Sequence, residues 1–226
     1  MRIIDLTVPI SGTTYSPPSV NKPIGVEVRT RESEYGGETH YWQLTKVDMA
    51  LHSGPHVDFS RHHAPDGETV DDVELDRVCG RAVLFDLGQV DPRHRIGVDD
   101  LERVDPGLER GQIALVRTHW TDRAWGEFPR YYVDSPECSP EAAEWLVERG
   151  AKAVGFDCFP EGSAKKTDYE PHEFVIHRTF GEAGVVLMQQ LCHLDLLPRS
   201  APVDFFGPFM KFAGAEGAPA RFFAVT

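Results

Sequence analysis

An α/β domain is the fold class this sequence predicts, on three observations. Two helix-then-strand units follow one another in the C-terminal half, and several short apolar runs are bounded by Gly or charged residues. The chain's 226 residues are 41% hydrophobic and 26% charged, which supports a real core, and the length fits one domain spanning 1–226. Residues 3–10 read as the first strand-like run. Residues 11–40 are rich in Pro, Gly, Ser and Thr, with Pro17-Pro18, Pro23 and Gly36-Gly37, and read as long loops. Residues 81–87 and 112–117 suit buried strands, and the charge pattern between them predicts a short helix over 98–104. The clearest helix covers 140–149. Ser139 is a good N-cap, Pro140 suits the first helical position, Glu141 favours the positive helix start, and Gly150 fits just past the end. A strand over 152–157 follows at once. The second unit runs from Pro171 through a helix carrying His172 and His177, past Gly184, into a strand over 185–189.

Lys and Arg number 23 against 36 Asp and Glu, for a formal net charge of −13. Such an excess argues against nucleic acid and against anionic membrane surfaces, both of which are recognised by clustered cations. A small molecule is the expected partner. Cys79, Cys138, Cys158 and Cys192 stand far apart without a C-x-x-C pair, so a thiolate zinc knuckle is not expected and free thiols in a reducing cytoplasm are. Residues 1–9 lack the apolar core of a secretory leader, and no apolar run approaches the ~20 residues that cross a bilayer. The expected location is cytoplasmic.

Ten residues are His, and His52, His56, His62 and His63 crowd into one segment, Leu51-His52-Ser53-Gly54-Pro55-His56-Val57-Asp58-Phe59-Ser60-Arg61-His62-His63. The i,i+4 spacing of His52 and His56 does not make a helix, because Gly54-Pro55 lies between them. In fully extended chain His52 and Asp58 would stand about 20 Å apart, so a bend at Gly54-Pro55 has to gather them. Two imidazoles and one carboxylate then suit Zn²⁺ or Mn²⁺. An ion there activates a water and polarises a carbonyl, and His62, with an ordinary pKa of about 6.5, has the chemistry of a general base. The plainer reading is that these histidines cap turns and line a polar loop. Tyr15, Tyr41 and Trp42 have the rings to clamp a flat substrate, or to pack in a core or interface. Asp157 either caps its loop or orients a ligand. His63 reads as structural. Cys158 has no base near it in sequence, and Ser163 lacks a nucleophile-elbow context.

The histidine string resembles the H-x-G-T-H-x-D-x-P-x-H signature of the cyclase family, whose members include bacterial kynurenine formamidases and isatin hydrolases. Ile3-Ile4-Asp5-Leu6-Thr7 is similar to the family's opening strand, and residues 139–157 to its S-P-E-A-A-x-W-L…G-x-D block. Residues 177–191 resemble H-R-x-L-L-x-x-G-x-x-x-x-E-x-L, and residues 213–221 the closing G-A-D-G-x-P-x-R stretch. The resemblance implies a swivelling β/β/α-type fold with a mixed sheet, and a homodimer or larger homo-oligomer. It implies His52, His56 and Asp58 as metal ligands and His62 as the catalytic base. His177 falls on the histidine that completes a second metal site in the kynurenine formamidases, but their metal-binding glutamate is Gln189 here. Two divalent ions with Asp58 as the only matched carboxylate would leave about +3 in a buried pocket, which is costly. One metal ion is therefore expected, with the Gln189 oxygen as a further ligand and His177 touching metal or substrate. Pro55 replaces the usual Thr, and Phe59-Ser60 the usual Ala-Pro, so Phe59 is expected to reshape the pocket wall.

The implied function is a metal-dependent hydrolase that cleaves a cyclic amide or aryl formamide in a neutral or anionic small molecule. The rivals are a lactonase or a biosynthetic cyclase or dehydratase on the same metal site, and a non-catalytic metal-dependent binding protein.

Overall fold

A computed structural model describes all 226 residues. In chain order the strands are β1 (Ile3–Asp5), β2 (Gly25–Tyr35), β3 (Glu38–Asp48), β4 (His56–Asp58), β5 (Cys79–Asp86), β6 (Arg95–Ile96), β7 (Ile113–Arg117) and β8 (Glu137–Cys138). They continue as β9 (Ala153–Phe156), β10 (Val186–Gln189), β11 (Val203–Phe206), β12 (Gly217–Pro219) and β13 (Phe223–Val225). The α-helices are α1 (Val98–Arg103), α2 (Trp120–Ala124), α3 (Arg130–Val133), α4 (Pro140–Glu148) and α5 (Val175–Glu182).

Nine strands form one mixed sheet in the order β1-β13-β11-β5-β7-β9-β10-β4-β12. The central four, β5-β7-β9-β10, run parallel, because helices return the chain between them. The flanking strands pair antiparallel. Alternation along the strands divides the core between the two sheet faces. Val83, Phe85, Val116, Phe156 and Leu187 join the helix-side cluster. Leu84, Ile113, Leu115, Val186 and Met188 pack on the other face with Ile4, Val57, Phe205 and Phe222. The expected strands at 81–87, 112–117, 152–157 and 185–189 are all present, as is the mixed sheet.

The largest departure lies in residues 11–40, expected as loops. Gly25–Tyr35 and Glu38–Asp48 pair residue for residue into a separate two-stranded ribbon, turned by Gly36 and Gly37, both at positive φ. Every residue of both strands is exposed. With no buried face, the ribbon lacks the apolar alternation that marks a half-buried strand.

Helix α4 begins as expected. Ser139 Oγ accepts the Ala142 N–H at 3.1 Å and Pro140 opens the first turn. Ser139→Ala leaves that N–H without its partner in a buried setting, so it should cost about 1 kcal/mol. In a chain of this size that corresponds to a melting point lowered by roughly 2–4 °C, measurable by thermal denaturation.

Candidate metal centre

The three-residue strand β4 brings the histidine string into the sheet, between β10 and β12. Alternation sends Val57 into the core and puts His56 and Asp58 together on the helix side. On neighbouring β10, Gln189 lies opposite His56, so its side chain reaches Asp58 diagonally on the same face. On β12, Gly217 lies opposite Asp58. A Cβ at Gly217 would stand 2.7 Å from His52 Cε1, so the missing side chain makes the space the His52 ring occupies. The bend comes from Gly54, whose φ of +75° favours glycine, and whose Cβ would collide with Ile10 at 2.7 Å. Helix α5 lies above and lowers His177 toward the same point.

These side chains converge. His52 Nδ1–H donates to Asp58 Oδ1 at 2.6 Å, and His52 Nε2–H to Glu216 Oε1 at 3.1 Å. His56 Nδ1–H donates to the Gly54 carbonyl at 2.7 Å. Its Nε2 faces Asp58 Oδ2 at 3.4 Å, buried and without a hydrogen-bond partner. Gln189 Nε2–H donates to Asp58 Oδ2 at 2.7 Å and to His177 Nε2 at 2.8 Å, while Gln189 Oε1 is buried without a partner.

The donor atoms of His52, His56 and Asp58 lie within 4.8 Å of one another. The same holds for Asp58, His62 and His177, and for His52, His62 and Glu216. Two imidazoles and a carboxylate fit a divalent cation, while Gln189 turns its amide nitrogen to Asp58. The orphaned His56 Nε2 carries that conclusion, because a tautomer fixed by a backbone carbonyl is how proteins prepare a histidine ligand.

Charge follows from contact. Burial alone would raise the pKa of Asp58, but His56 and His52 beside it hold the carboxyl well below its usual range. Burial works to lower His52, yet its bonds to Asp58 and Glu216 prevail and raise it to about 9. The bond from His52 lowers Glu216 to about 2. His62 is lowered to about 3 by burial and by the charge of His52, whose ring stacks on it at 3.9 Å. His62 is thus neutral in the metal-free protein.

The centre opens on a cavity of about 400 Å³. His52, His56, His62, His177, Gln189 and Glu216 form one wall, and Pro17, Val20, Met49, Leu51, Phe159 and Phe174 line the apolar remainder. No Lys or Arg lines it. Phe174 stacks on His177 at 3.9 Å and Tyr169 stacks on Phe174 at 5.7 Å.

Three expected pocket residues stand elsewhere. Phe59 follows Asp58 in the strand, so its ring turns to the opposite face and packs on Phe209 at 5.1 Å. Trp42 projects from the ribbon, half exposed. Tyr15 packs beside Phe128 at 6.0 Å and borders a separate cavity of about 180 Å³. Asp157 is not at the centre: it accepts the N–H and hydroxyl of Thr118 at 2.7 and 2.6 Å and the N–H of His119 at 2.7 Å, capping that loop. Glu216, Glu161 and Phe174 were not singled out from the sequence. Glu216 sits within the closing family-like stretch, the one sequence signal that pointed to it.

Fold and site together define a protein with a histidine–carboxylate cation centre at one end of a mixed sheet. The chain belongs to the cyclase family, whose sequence pattern, described as putative cyclase, matches residues 4–160. A kynurenine formamidase of Bacillus cytotoxicus is 27% identical over 218 residues, covering 96% of this chain and 94% of its own. Another, from Bacillus cereus, is 28% identical over 220 residues, with coverage of 96% and 94%. An isatin hydrolase solved with the product analogue thioisatinate is similar at a TM-score of 0.78 and 20% identity, over 100% of this chain and 92% of its own. Isatin hydrolase A from Ralstonia solanacearum gives 0.73 and 24%, over 99% and 91%. The two structural likenesses speak to the fold.

If His56 is a ligand, wild-type protein dialysed exhaustively retains a divalent metal, and His56→Ala retains at most a trace by elemental analysis. Equal, negligible metal in both would remove the centre.

Proposed function

We propose that the protein is a metal-dependent hydrolase that breaks a C–N amide bond in a small, uncharged, ring-bearing molecule. The observation that carries this reading is the buried, unpartnered His56 Nε2 beside Asp58, at the wall of an otherwise apolar cavity. His52, His56 and Asp58 would hold one divalent cation, Zn²⁺ or Mn²⁺, with Gln189 Oε1 as a further ligand. The cation supplies Lewis acidity there, making a water more acidic and an amide carbonyl more electrophilic. His62, neutral and facing the cavity, takes a proton from the attacking water and returns it to the leaving nitrogen. Phe174, held flat by Tyr169 and His177, offers a stacking face for a ring. The kynurenine formamidase and isatin hydrolase relatives support amide hydrolysis as the chemistry.

The substrate's charge follows from the lining. A carboxylate entering this cavity would find no Lys or Arg, and the only positive groups left to pair with it would be the metal and imidazoles that the reaction itself uses. Isatin should therefore be turned over in preference to N-formylkynurenine, which carries an amino-acid head group, and an aryl lactone assayed in parallel separates amidase from lactonase. His62→Ala should lower kcat by about 10²–10⁴-fold with metal content unchanged. Full metal loading with no turnover of any of the three would overturn the hydrolase reading.

We further propose a homodimer working in the cytoplasm, with no nucleic-acid partner. Four free cysteines support the location, and no helix is long and apolar enough to cross a membrane. The ribbon supports the dimer. An isolated two-stranded hairpin is marginal in water, yet this one exposes Val26, Val28, Tyr41 and Val47 on one face and Trp42 and Leu44 on the other. Its two 11-residue strands match the roughly 20–30 residues per side of a standard interface. Light scattering should give a dimer for the wild type and a monomer for Val28→Glu/Val47→Glu. A wild type that stays monomeric at micromolar concentration would refute the dimer.

A further inference from the structure

Behind His177 lies a carboxylate that the hydrolytic chemistry does not use. Glu161 is 2% exposed. Its Oε2 accepts the backbone N–H of Ile176 at 2.9 Å, the N–H of His177 at 3.2 Å and His177 Nδ1–H at 3.1 Å. Its Oε1 accepts the Ser163 hydroxyl at 3.2 Å. All four contacts can donate to it, the arrangement a carboxylate takes. No Lys or Arg pairs with it: neighbouring Lys165 turns instead to Glu137 and the Ser135 carbonyl. The start of α5 stabilises it in part through two backbone N–H groups and the helix dipole. A buried carboxylate with so little compensation is costly unless positive charge stands close by. The side on which such a charge would stand is that of His177, whose Nε2 lies 3.7 Å from Asp58 Oδ2.

We propose that Glu161 is a buried negative charge that supports a one-cation centre from behind His177, and the positioning residue that decides which nitrogen of His177 faces it. This rests on the metal-centre reading above. Because Glu161 takes the Nδ1 proton, Nε2 is left as a bare acceptor, which is why Gln189 donates to it. The Phe174 ring, 14° from parallel with His177, holds the plane of the imidazole. Asp58 and Glu161 give the centre two buried negative charges, and Glu216, bonded to His52, adds a third at the cavity rim.

The test uses the full-length protein, stripped with a chelator and titrated with Zn²⁺ and Mn²⁺ separately. Wild type should bind one ion per chain. Glu161→Gln keeps an oxygen for the α5 N–H groups, so it should fold, but its metal dissociation constant should rise about 10–100-fold, the loss typical of residues that support a metal site from beyond its ligands. Glu161→Asp, which keeps the charge, should recover most of that affinity and serves as the test variant if the Gln form does not fold. Nitrogen NMR of the metal-free wild type should find His177 protonated at Nδ1, and a mixture of tautomers in Glu161→Gln. Unchanged affinity in a folded Glu161→Gln, or two ions per wild-type chain, would overturn the proposal. A wild type that binds no ion in either titration would instead remove the metal-centre reading beneath it, while the NMR comparison would still decide whether Glu161 sets the His177 tautomer.

Discussion

A carboxylate placed between two strands of a sheet has to be compensated from its own face, because the backbone on either side is already paired. Asp58 is in that position, on β4 between β10 and β12, and side chains from four places meet its two oxygens. His52 comes from the turn before the strand, His56 from the strand itself, Gln189 from β10 and His177 from α5. Each of these deliveries explains a local oddity. The left-handed Gly54 exists because His52 must double back over a strand that starts two residues later. Gly217 exists because a side chain opposite Asp58 would fill the place of the His52 ring. The cluster of histidines is thus a consequence of geometry around one buried charge.

The excess of acidic residues has to be read by location. Most of the chain's 36 Asp and Glu lie on the outside, where water screens them and their contribution to the site is small. The buried acids near the centre are few and specific: Asp58 in its midst and Glu161 behind His177, with half-exposed Glu216 at the cavity rim. Against them stand only imidazoles, since no Lys or Arg lines the cavity. Imidazoles are cations only while they hold protons, and a histidine that ligates a metal gives its lone pair to the ion. A centre arranged this way has its charge completed by what binds there, whereas one built on Lys or Arg would be complete in advance.

The sequence was most readable where a rule acts over short distances. Ser139, Pro140 and Gly150 bracket α4 through contacts within a turn, and the helix lies where they place it. His52, His56 and Asp58 fall within one short segment, so their convergence needed only the Gly54-Pro55 bend. Glu161 and Glu216 were illegible in themselves, since what makes them matter is a contact with a histidine 16 or 164 positions away. Phe59 shows the opposite error: neighbours in sequence point to opposite faces of a strand, so adjacency to Asp58 placed its ring in the other core. The ribbon escaped notice for a different reason. Tyr35-Gly36-Gly37-Glu38 is a hairpin turn signal, but both strands carry charges among their apolar residues, and periodicity registers a strand only where one face is buried.

The ribbon and the centre are joined by the chain itself. Asp48, the last residue of β3, pairs with Gly25 at the ribbon's root, and Met49, Ala50, Leu51 and His52 follow directly, all lining the cavity. Pro17, Ser19 and Val20 line it from the segment that enters the ribbon on the other side. The ribbon therefore springs from the cavity rim, and its two legs continue into the cavity's walls. A second copy seated on the ribbon would stand beside that rim, and any change in how it sits would reach the apolar wall through at most a few residues. Nothing in the central sheet couples so directly to the cavity mouth, because β5, β7 and β9 are clamped between two cores. In this architecture the sheet holds Asp58 and its histidines in place, and the ribbon on which a second copy would sit borders the way in.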